Sequence, residues 1–200
     1  MTTYVALLRG VNVGGNRVIA MQALREFLDA LGCERPRSLL QSGNLVFDSR
    51  KKTSDAVERW LEGEAAKQLG LTTQFFVRTA AEWREVLARN PFTDEAETDP
   101  ARLHVVALKH VPTKPAVAAL RAAIVGREVV ESGSRHLYVM YPDGVGNSKL
   151  TAAVIDSRLA TRCTARNWNT VRKIAALSAV SSREPLAREI RNAQRERPAE

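Results

Sequence analysis

The architecture of this chain can be worked out from one stretch near the N-terminus, Leu7-Leu8-Arg9-Gly10-Val11-Asn12-Val13-Gly14-Gly15-Asn16. Residues 3–9 are mostly apolar and predict a buried strand, which runs directly into a glycine-rich loop. Glycine lets the main chain approach a ligand closely, so the loop can present backbone N–H groups. A helix is expected to follow the loop, and its N-terminus favours anions. The stretch therefore predicts a binding site but indicates no reaction.

The rest of the first half alternates between helical and extended patterns. Leu24, Phe27, Leu28 and Leu31 form the apolar stripe of a helix that ends at Gly32. The remaining expected elements are a hairpin of strands 38–41 and 45–48 across Ser42-Gly43-Asn44, a helix capped by Ser54 or Asp55 and ended by Gly70, a strand over 72–78, and a helix from Ala80 that stops at Asn90-Pro91.

The same order of elements begins again after an acidic stretch over residues 93–101. The second set comprises a strand over 103–109, a helix over 116–124, a hairpin of strands 128–131 and 137–141, a helix from near Ser148, a strand over 161–165 and a helix over 168–179. Trp83 and Trp168 open the last helix of each half. The sequence thus predicts an α+β fold, a tandem duplication of two ferredoxin-like (βαββαβ) subdomains, each followed by an extra helix.

This prediction divides the chain into four parts: a first subdomain over 1–92, an acidic linker over 93–101, a second subdomain over 102–180 and a charged C-terminal tail over 181–200. Each subdomain is expected to form a four-stranded antiparallel sheet in the order 4-1-3-2. Two helices should cover one face of each sheet.

The net charge of +8 at pH 7 is uneven along the 200 residues. Residues 1–100 hold 13 Lys and Arg against 14 Asp and Glu, whereas residues 101–200 hold 17 against 8. The excess indicates either an anionic partner for the second half or an ordinary solvated surface. No apolar run reaches the ~18 residues of a membrane helix, and the N-terminus lacks a signal-peptide pattern. We expect a cytoplasmic protein with no membrane association and with Cys33 and Cys163 reduced.

Several familiar catalytic and metal-binding patterns are absent from the sequence. His104, His110 and His136 are widely spaced and the two cysteines are not paired, so we expect no metal site. His136 falls on a hairpin strand and is interpreted as structural. The segment 144–149 resembles a phosphate loop, but its lysine follows the serine, which favours a turn with a helix cap. No residue pattern identifies a cofactor.

Polar residues cluster at the ends of the predicted elements, where asparagine and glycine also serve as ordinary turn residues. In the split βαβ order, the loop after the first strand and the hairpin after the second share one sheet edge. The clusters of the second half share the opposite edge of their own sheet. The candidate ligand-binding residues are Arg9, Asn12, Gly14, Gly15, Gln41, Ser42, Asn44, Lys149, Arg166, Asn167 and Asn169.

Three motifs in order give the chain a family resemblance: Leu7–Gly15, Gln41-Ser42-Gly43-Asn44 and Arg166–Val171. Together they resemble the domain-of-unknown-function 1697 family over roughly residues 3–178, with Val11 where many members have isoleucine. The resemblance implies a bacterial-type cytosolic protein with paired ferredoxin-like halves and no established activity.

The leading hypothesis is a protein that binds a small phosphate- or carboxylate-bearing ligand in a cleft between the two subdomains. Arg9 and Arg166 would supply charge recognition, since guanidinium groups match such anions. The clusters hold no histidine and no carboxylate, so catalytic residues cannot be named. The alternatives are a nucleic-acid-binding module that uses the basic second half, and a protein-interaction scaffold. A monomer is favoured over an oligomer.

Overall fold

A computed structural model describes residues 1–12, 18–51 and 53–179. The first half contains β1 (Thr2–Leu8), α1 (Met21–Ala30), β2 (Glu34–Leu39), β3 (Asn44–Ser49), α2 (Ser54–Leu69), β4 (Phe75–Thr79) and α3 (Ala80–Ala88). Its four strands form one antiparallel sheet in the order β2-β3-β1-β4. Helices α1 and α2 cover one face of this sheet, where Leu24, Leu28 and Leu61 are buried against Phe47 and Phe75.

The second half repeats this order after a short helix, α4 (Thr93–Thr98). It contains β5 (Leu103–Leu108), α5 (Lys114–Ala122), β6 (Val129–Ser132), β7 (His136–Met140), α6 (Ala152–Leu159), β8 (Cys163–Asn167) and α7 over residues 168–179. The second sheet is antiparallel in the order β6-β7-β5-β8. The expected strand order of both sheets is therefore confirmed, and α5 and α6 cover one face of the second.

The opposite faces of the two sheets pack on each other and form a third core. Val5 and Phe76 of the first sheet and Val105 and Tyr138 of the second are buried there, together with Trp83 of α3 and residues of α7. Two hydrogen bonds cross this core, because the Trp83 indole donates to the carbonyl of Val171 at 3.2 Å and the Tyr138 hydroxyl to that of Val86 at 2.8 Å. Both faces of each sheet are thus covered.

Local details differ from the sequence predictions at helix starts and in the expected linker. Thr53, rather than Ser54 or Asp55, caps α2 by accepting a hydrogen bond from the Ala56 amide. Thr151 caps α6, so this helix starts later than Ser148. Residues 93–98 form α4, whose Ala96 is buried in the core between the sheets. The predicted tail over 181–200 lies outside the described residues.

Gly43 occupies the hairpin between β2 and β3 with a backbone φ of +70°, a conformation that glycine adopts without strain. A Cβ at this position would lie 2.6 Å from Val11 Cγ2 and 2.8 Å from Leu8 Cβ. The carbonyl of Gly43 accepts a hydrogen bond from the Leu8 amide at 2.8 Å, which ties the hairpin to the end of β1. Gly43 therefore lets the hairpin approach the loop that follows β1.

Substitution Gly43→Ala is expected to lower the free energy of unfolding by about 2–4 kcal/mol, because the new methyl group overlaps two side chains and the φ is unfavourable. Gly63→Ala is the matched control, since Gly63 is exposed inside α2 with open space around its Cα. That change should raise the free energy of unfolding by about 0.5–1 kcal/mol. Urea denaturation measures both, and equal effects would contradict the packing shown for Gly43.

Candidate functional site

A cavity of about 650 Å³ lies between the two halves. Helices α2 and α6 form its walls, and the ends of β1 and β5 reach its base. The lining residues are Arg9, Asp55, Glu58, Arg59, Glu62, Gln74, Lys109, His110, Ala153, Asp156, Ser157, Ala160, Thr161 and Arg162. We call this space the inter-half cavity. Charged side chains of both signs dominate its wall.

Arg9 and Lys109 occupy equivalent places in the two halves, one residue beyond the end of β1 and of β5. The backbone amide of Arg9 donates to Gln74 at 3.0 Å, and that of Lys109 donates to Arg162 at 3.0 Å. Each side chain then crosses to the other half. The Arg9 guanidinium pairs with Asp156 of α6 at 2.7 Å, and the Lys109 ammonium pairs with Glu62 of α2 at 2.6 Å.

Glu58 is the most buried charged residue of the cavity wall, with 4% of its surface exposed. Its carboxylate accepts hydrogen bonds from the Val77 amide at 2.8 Å, from Arg135 at 2.9 Å and from Lys109 at 3.1 Å. Arg78 lies 3.4 Å away from the same carboxylate. Because its oxygen atoms are already fully used, Glu58 holds the two halves together and has no capacity left for a ligand.

Asp156 is surrounded by more positive than negative charge, because one of its carboxylate oxygens contacts two guanidinium groups. Oδ2 accepts from Arg9 at 2.7 Å and from Arg162 at 3.1 Å, while 9% of the Asp156 side chain is exposed. Burial raises the pKa of Asp156, but hydrogen bonds from Arg9, Cys163 and Arg162 outweigh it and hold the pKa below its usual range. Two guanidinium groups therefore share one carboxylate at this wall, while the cavity lining as a whole holds four basic and four acidic side chains.

Arg166 does not line the inter-half cavity, contrary to our expectation. All five N–H groups of its guanidinium are bonded to neutral acceptors of the protein. Those acceptors are the side chains of Asn44 (2.5 Å) and Thr164 (3.0 Å) and the carbonyls of Leu8 (3.0 Å), Ser42 (2.9 Å) and Ala165 (2.8 Å). Burial lowers the pKa of Arg166 to about 10. Arg166 therefore joins the halves and has no donor left for an anion.

The other first-half candidates also bond to the protein itself. Asn12 donates to the carbonyls of Ile19 and Gln41 at 2.9 and 2.7 Å and accepts from the Ile19 amide, so it closes the loop after β1. Asn44 donates to the Leu39 carbonyl at 2.9 Å and supports the hairpin. Among these candidates, Ser42 and Asn44 contact the Arg166 guanidinium, and that meeting point is a structural contact.

Lys149 and the asparagines near β8 lie elsewhere. Lys149 lines a separate cavity of about 230 Å³ together with Tyr141 and Gly144. Asn167 caps α7 by accepting from the Thr170 amide at 3.0 Å, and Asn169 is exposed on that helix. Two further candidates, Gly14 and Gly15, lie outside the described residues. Of the nine candidates that the structure describes, Arg9 is the one that lines the inter-half cavity.

Sequence reasoning missed Lys109, Asp156, Arg162 and the buried Arg78. A signal for two of them was present in the matching order of elements in the two halves. Arg78 pairs with Val5 in β1 as Arg166 pairs with Val105 in β5, and Lys109 follows β5 as Arg9 follows β1. Aligning the halves residue by residue would have drawn attention to both. Asp156 lies on a helix without a distinctive motif, so nothing in the sequence marked it.

His136 packs edge-on against Tyr138, with ring centroids 4.8 Å apart. A Cβ on Gly133 would lie 2.1 Å from its Nε2, so this nitrogen is covered by the main chain. Burial and the nearby charge of Arg78 lower the pKa of His136 to about 4. His136 is therefore neutral at pH 7, in keeping with its interpretation as a structural residue.

Over the described ranges, no group of three or more histidine, cysteine, aspartate or glutamate side chains is placed to hold a metal ion. In the same part of the chain, every helix is too short or too polar to cross a lipid bilayer.

The fold and the cavity define an α+β protein built from two facing four-stranded sheets with a charged cavity between its halves. The sequence matches the family model for a protein of unknown function (DUF1697) over residues 1–138, and the chain belongs to this family. The third sequence motif, around Arg166, lies beyond the matched residues.

No curated protein matches the sequence. Among solved structures, the chain is similar to the conserved bacterial protein SP0830 from Streptococcus pneumoniae. The two share 26% identity with a TM-score of 0.71, and the similarity covers 88% of this chain and 98% of that one.

Replacing Arg166 with methionine should lower the free energy of unfolding by about 2–4 kcal/mol, because the carbonyl groups of Leu8 and Ser42 in the first half lose their donor from β8. Arg172→Met is the matched control, since Arg172 is 52% exposed and its ion pair with Glu97, at 3.8 Å, lies on the surface. The control should change the free energy by less than about 0.5 kcal/mol. Denaturation in guanidinium chloride measures the free energy of unfolding of both variants and of the wild-type protein. A near-neutral Arg166→Met variant would refute the role of Arg166 in joining the halves.

Stability should fall as the pH is lowered from about 6.5 to about 4, because His136 takes up a proton in the unfolded chain before it does so in the folded one. The loss from this residue is roughly 2–3 kcal/mol. His136→Gln should flatten the difference in the free energy of unfolding between these two pH values. His110→Gln, at an exposed histidine, should keep the wild-type slope. Identical slopes in all three proteins would rule out the shifted pKa.

Proposed function

We propose that this protein binds a small phosphate- or carboxylate-bearing molecule in the inter-half cavity. The observation that carries the proposal is the pairing of two guanidinium groups, from Arg9 and Arg162, with the single carboxylate of Asp156. An incoming anion would balance the remaining charge. The cavity volume of about 650 Å³ falls within the range typical of small-molecule sites.

The proposed anion lies on the Arg162 side of the Asp156 carboxylate. The Arg162 side chain is 62% exposed and that of Arg9 is 28% exposed, so both retain N–H groups that face the cavity. Two guanidinium groups can clamp a carboxylate or phosphate through several charge-assisted hydrogen bonds. Asp156 then acts as the positioning residue that keeps both arginines in place. Lys109 contributes less, because Glu58 and Glu62 already neutralise it.

We further propose that the two halves arose by duplication of one ferredoxin-like unit, which gave the cavity its two related walls. The equal strand orders and the equivalent places of Arg78 and Arg166 support this history. In a protein formed by duplication of one unit, the ends of β1 and β5 would meet near the pseudo-twofold axis that relates the two halves. A site formed there would contain residues of both halves. Anion binding requires no catalytic residue, and we assign no reaction to the cavity.

The nucleic-acid alternative finds less support. RNA-binding sheets of this topology use aromatic side chains on an open face to stack bases. Tyr138 is 3% exposed in the core between the sheets, and Tyr141 is 3% exposed under α5 and α6. The excess of basic residues in the second half would then have to act through backbone phosphates alone, without a stacking surface.

Removal of a cavity arginine should weaken anion binding. We expect Arg162→Ala and Arg9→Ala each to lower the affinity for inorganic phosphate or citrate by about tenfold, the loss of one charge-assisted contact. Arg158→Ala is the matched control, because Arg158 is an exposed arginine of α6 outside the cavity. Isothermal titration calorimetry measures all three. Equal weakening by the Arg158 variant, or no measurable binding to the wild-type protein, would overturn the proposal.

A further inference from the structure

The outer edge of β4 is closed by three glutamates. In this edge strand, alternate residues direct their N–H groups away from β1. Those of Phe75, Val77 and Thr79 donate instead to the carboxylates of Glu62 (2.9 Å), Glu58 (2.8 Å) and Glu82 (2.6 Å). No backbone donor of this edge is left for another strand. An edge that is capped in this way resists pairing with a further chain.

The outer edge of β8 has the same register but lacks the caps. Lys109 and Arg162 exchange a ladder hydrogen bond just as Arg9 and Gln74 do, so the N–H groups of Cys163, Ala165 and Asn167 point away from β5. Within residues 1–12, 18–51 and 53–179, none of these three N–H groups donates a hydrogen bond to another group of the protein. The two edges therefore differ in whether their donors are used.

The difference follows from the helix beside each edge. Helix α2 has 16 residues and carries Glu58 and Glu62. Helix α6 has 8 residues, and its one carboxylate, Asp156, pairs with Arg9 and Arg162 rather than with a backbone N–H group of β8. Cys163 is buried beneath α6, but Ala165 is exposed. The accessible part of the edge is thus the segment that runs from Ala165 towards Asn167. Unpaired strand donors in an exposed edge are a template for an extended peptide.

The charge around this edge selects the kind of peptide. From residue 157 to residue 173 the chain carries five basic residues and no acidic one. The Arg166 guanidinium is fully bonded within the protein, which leaves Arg158, Arg162, Arg172 and Lys173. Arg162 and Arg172 also contact Asp156 and Glu97 at 3.1 and 3.8 Å. Arg162 and Arg172 are 62% and 52% exposed. An extended segment with carboxylates at alternate positions would complement them while its backbone pairs with β8.

We propose that the edge of β8 binds an extended acidic peptide by strand addition. The main chain of β8 supplies N–H groups and the surrounding arginines supply charge recognition. The backbone donors of this surface, Ala165 and Asn167, do not line the inter-half cavity, whereas Arg162 borders both sites.

The direct test is backbone amide exchange with an acetylated peptide of alternating glutamate and valine, about six residues long. We expect the amides of Ala165 and Asn167 to exchange rapidly in the free protein and at least about tenfold more slowly with the peptide bound. The Val77 amide, already bonded to Glu58, is the internal control and should not change. A peptide with lysine in place of glutamate should give no protection.

Two variants separate backbone pairing from mere attraction of charge. Ala165→Pro removes the central donor at a position where an edge strand tolerates proline, and it should weaken peptide binding by about tenfold or more. Ala165→Val keeps the donor and should bind as the wild type does. If the proline variant misfolds, the exchange experiment on the wild-type protein still decides the question.

Three outcomes would overturn the proposal. They are unchanged exchange at Ala165 with the acidic peptide, equal protection by the lysine peptide, and wild-type binding by Ala165→Pro. Analytical ultracentrifugation of the free protein tests whether a second copy of this chain occupies the edge of β8. A dimer that Ala165→Pro abolishes would mean that the edge pairs with a second copy of this chain rather than with an acidic peptide.

Discussion

Two arginines hold the halves together and thereby set the geometry of everything between them. The Arg78 guanidinium reaches from β4 to the Leu108 carbonyl at 2.7 Å, and that of Arg166 reaches from β8 to the Leu8 carbonyl at 3.0 Å. Leu8 and Leu108 are the last residues of β1 and β5. Fixing these two carbonyls determines where the next residues, Arg9 and Lys109, enter the inter-half cavity. The cavity therefore depends on contacts that lie beside it.

Arg78 and Arg166 occupy equivalent positions in the two halves, but different groups compensate their buried charges. Burial lowers the pKa of each to about 10, and for Arg78 the charge of Arg135 adds to the effect. Arg78 lies beside the Glu58 carboxylate at 3.4 Å, whereas Arg166 is surrounded by carbonyl, amide and hydroxyl oxygens. Five neutral acceptors compensate the Arg166 charge through their dipoles, which a guanidinium can use because its donors lie in a fixed plane. An equivalent lysine could not satisfy them all.

Periodicity predicted the fold well because apolar residues had to lie on one helix stripe or one strand face. The stripe Leu24, Phe27, Leu28 and the repeat of the strand order both depend on this rule. The candidate site was harder to predict. A polar residue at a strand end can bond to its own turn, as Asn12 does, or cross to the other half, as Arg9 does. The spacing of residues along one half contains no information about which acceptors the other half brings close.

We expect the wall formed by Arg9, Asp156 and Arg162 to bind an anion. A crystal soaked in selenate, with anomalous diffraction measured at the selenium edge, tests it directly. We expect a peak within hydrogen-bond distance of the Arg9 and Arg162 guanidinium groups inside the inter-half cavity. Peaks confined to the outer surface or to the cavity beside Lys149, with the Arg9 wall empty, would contradict it.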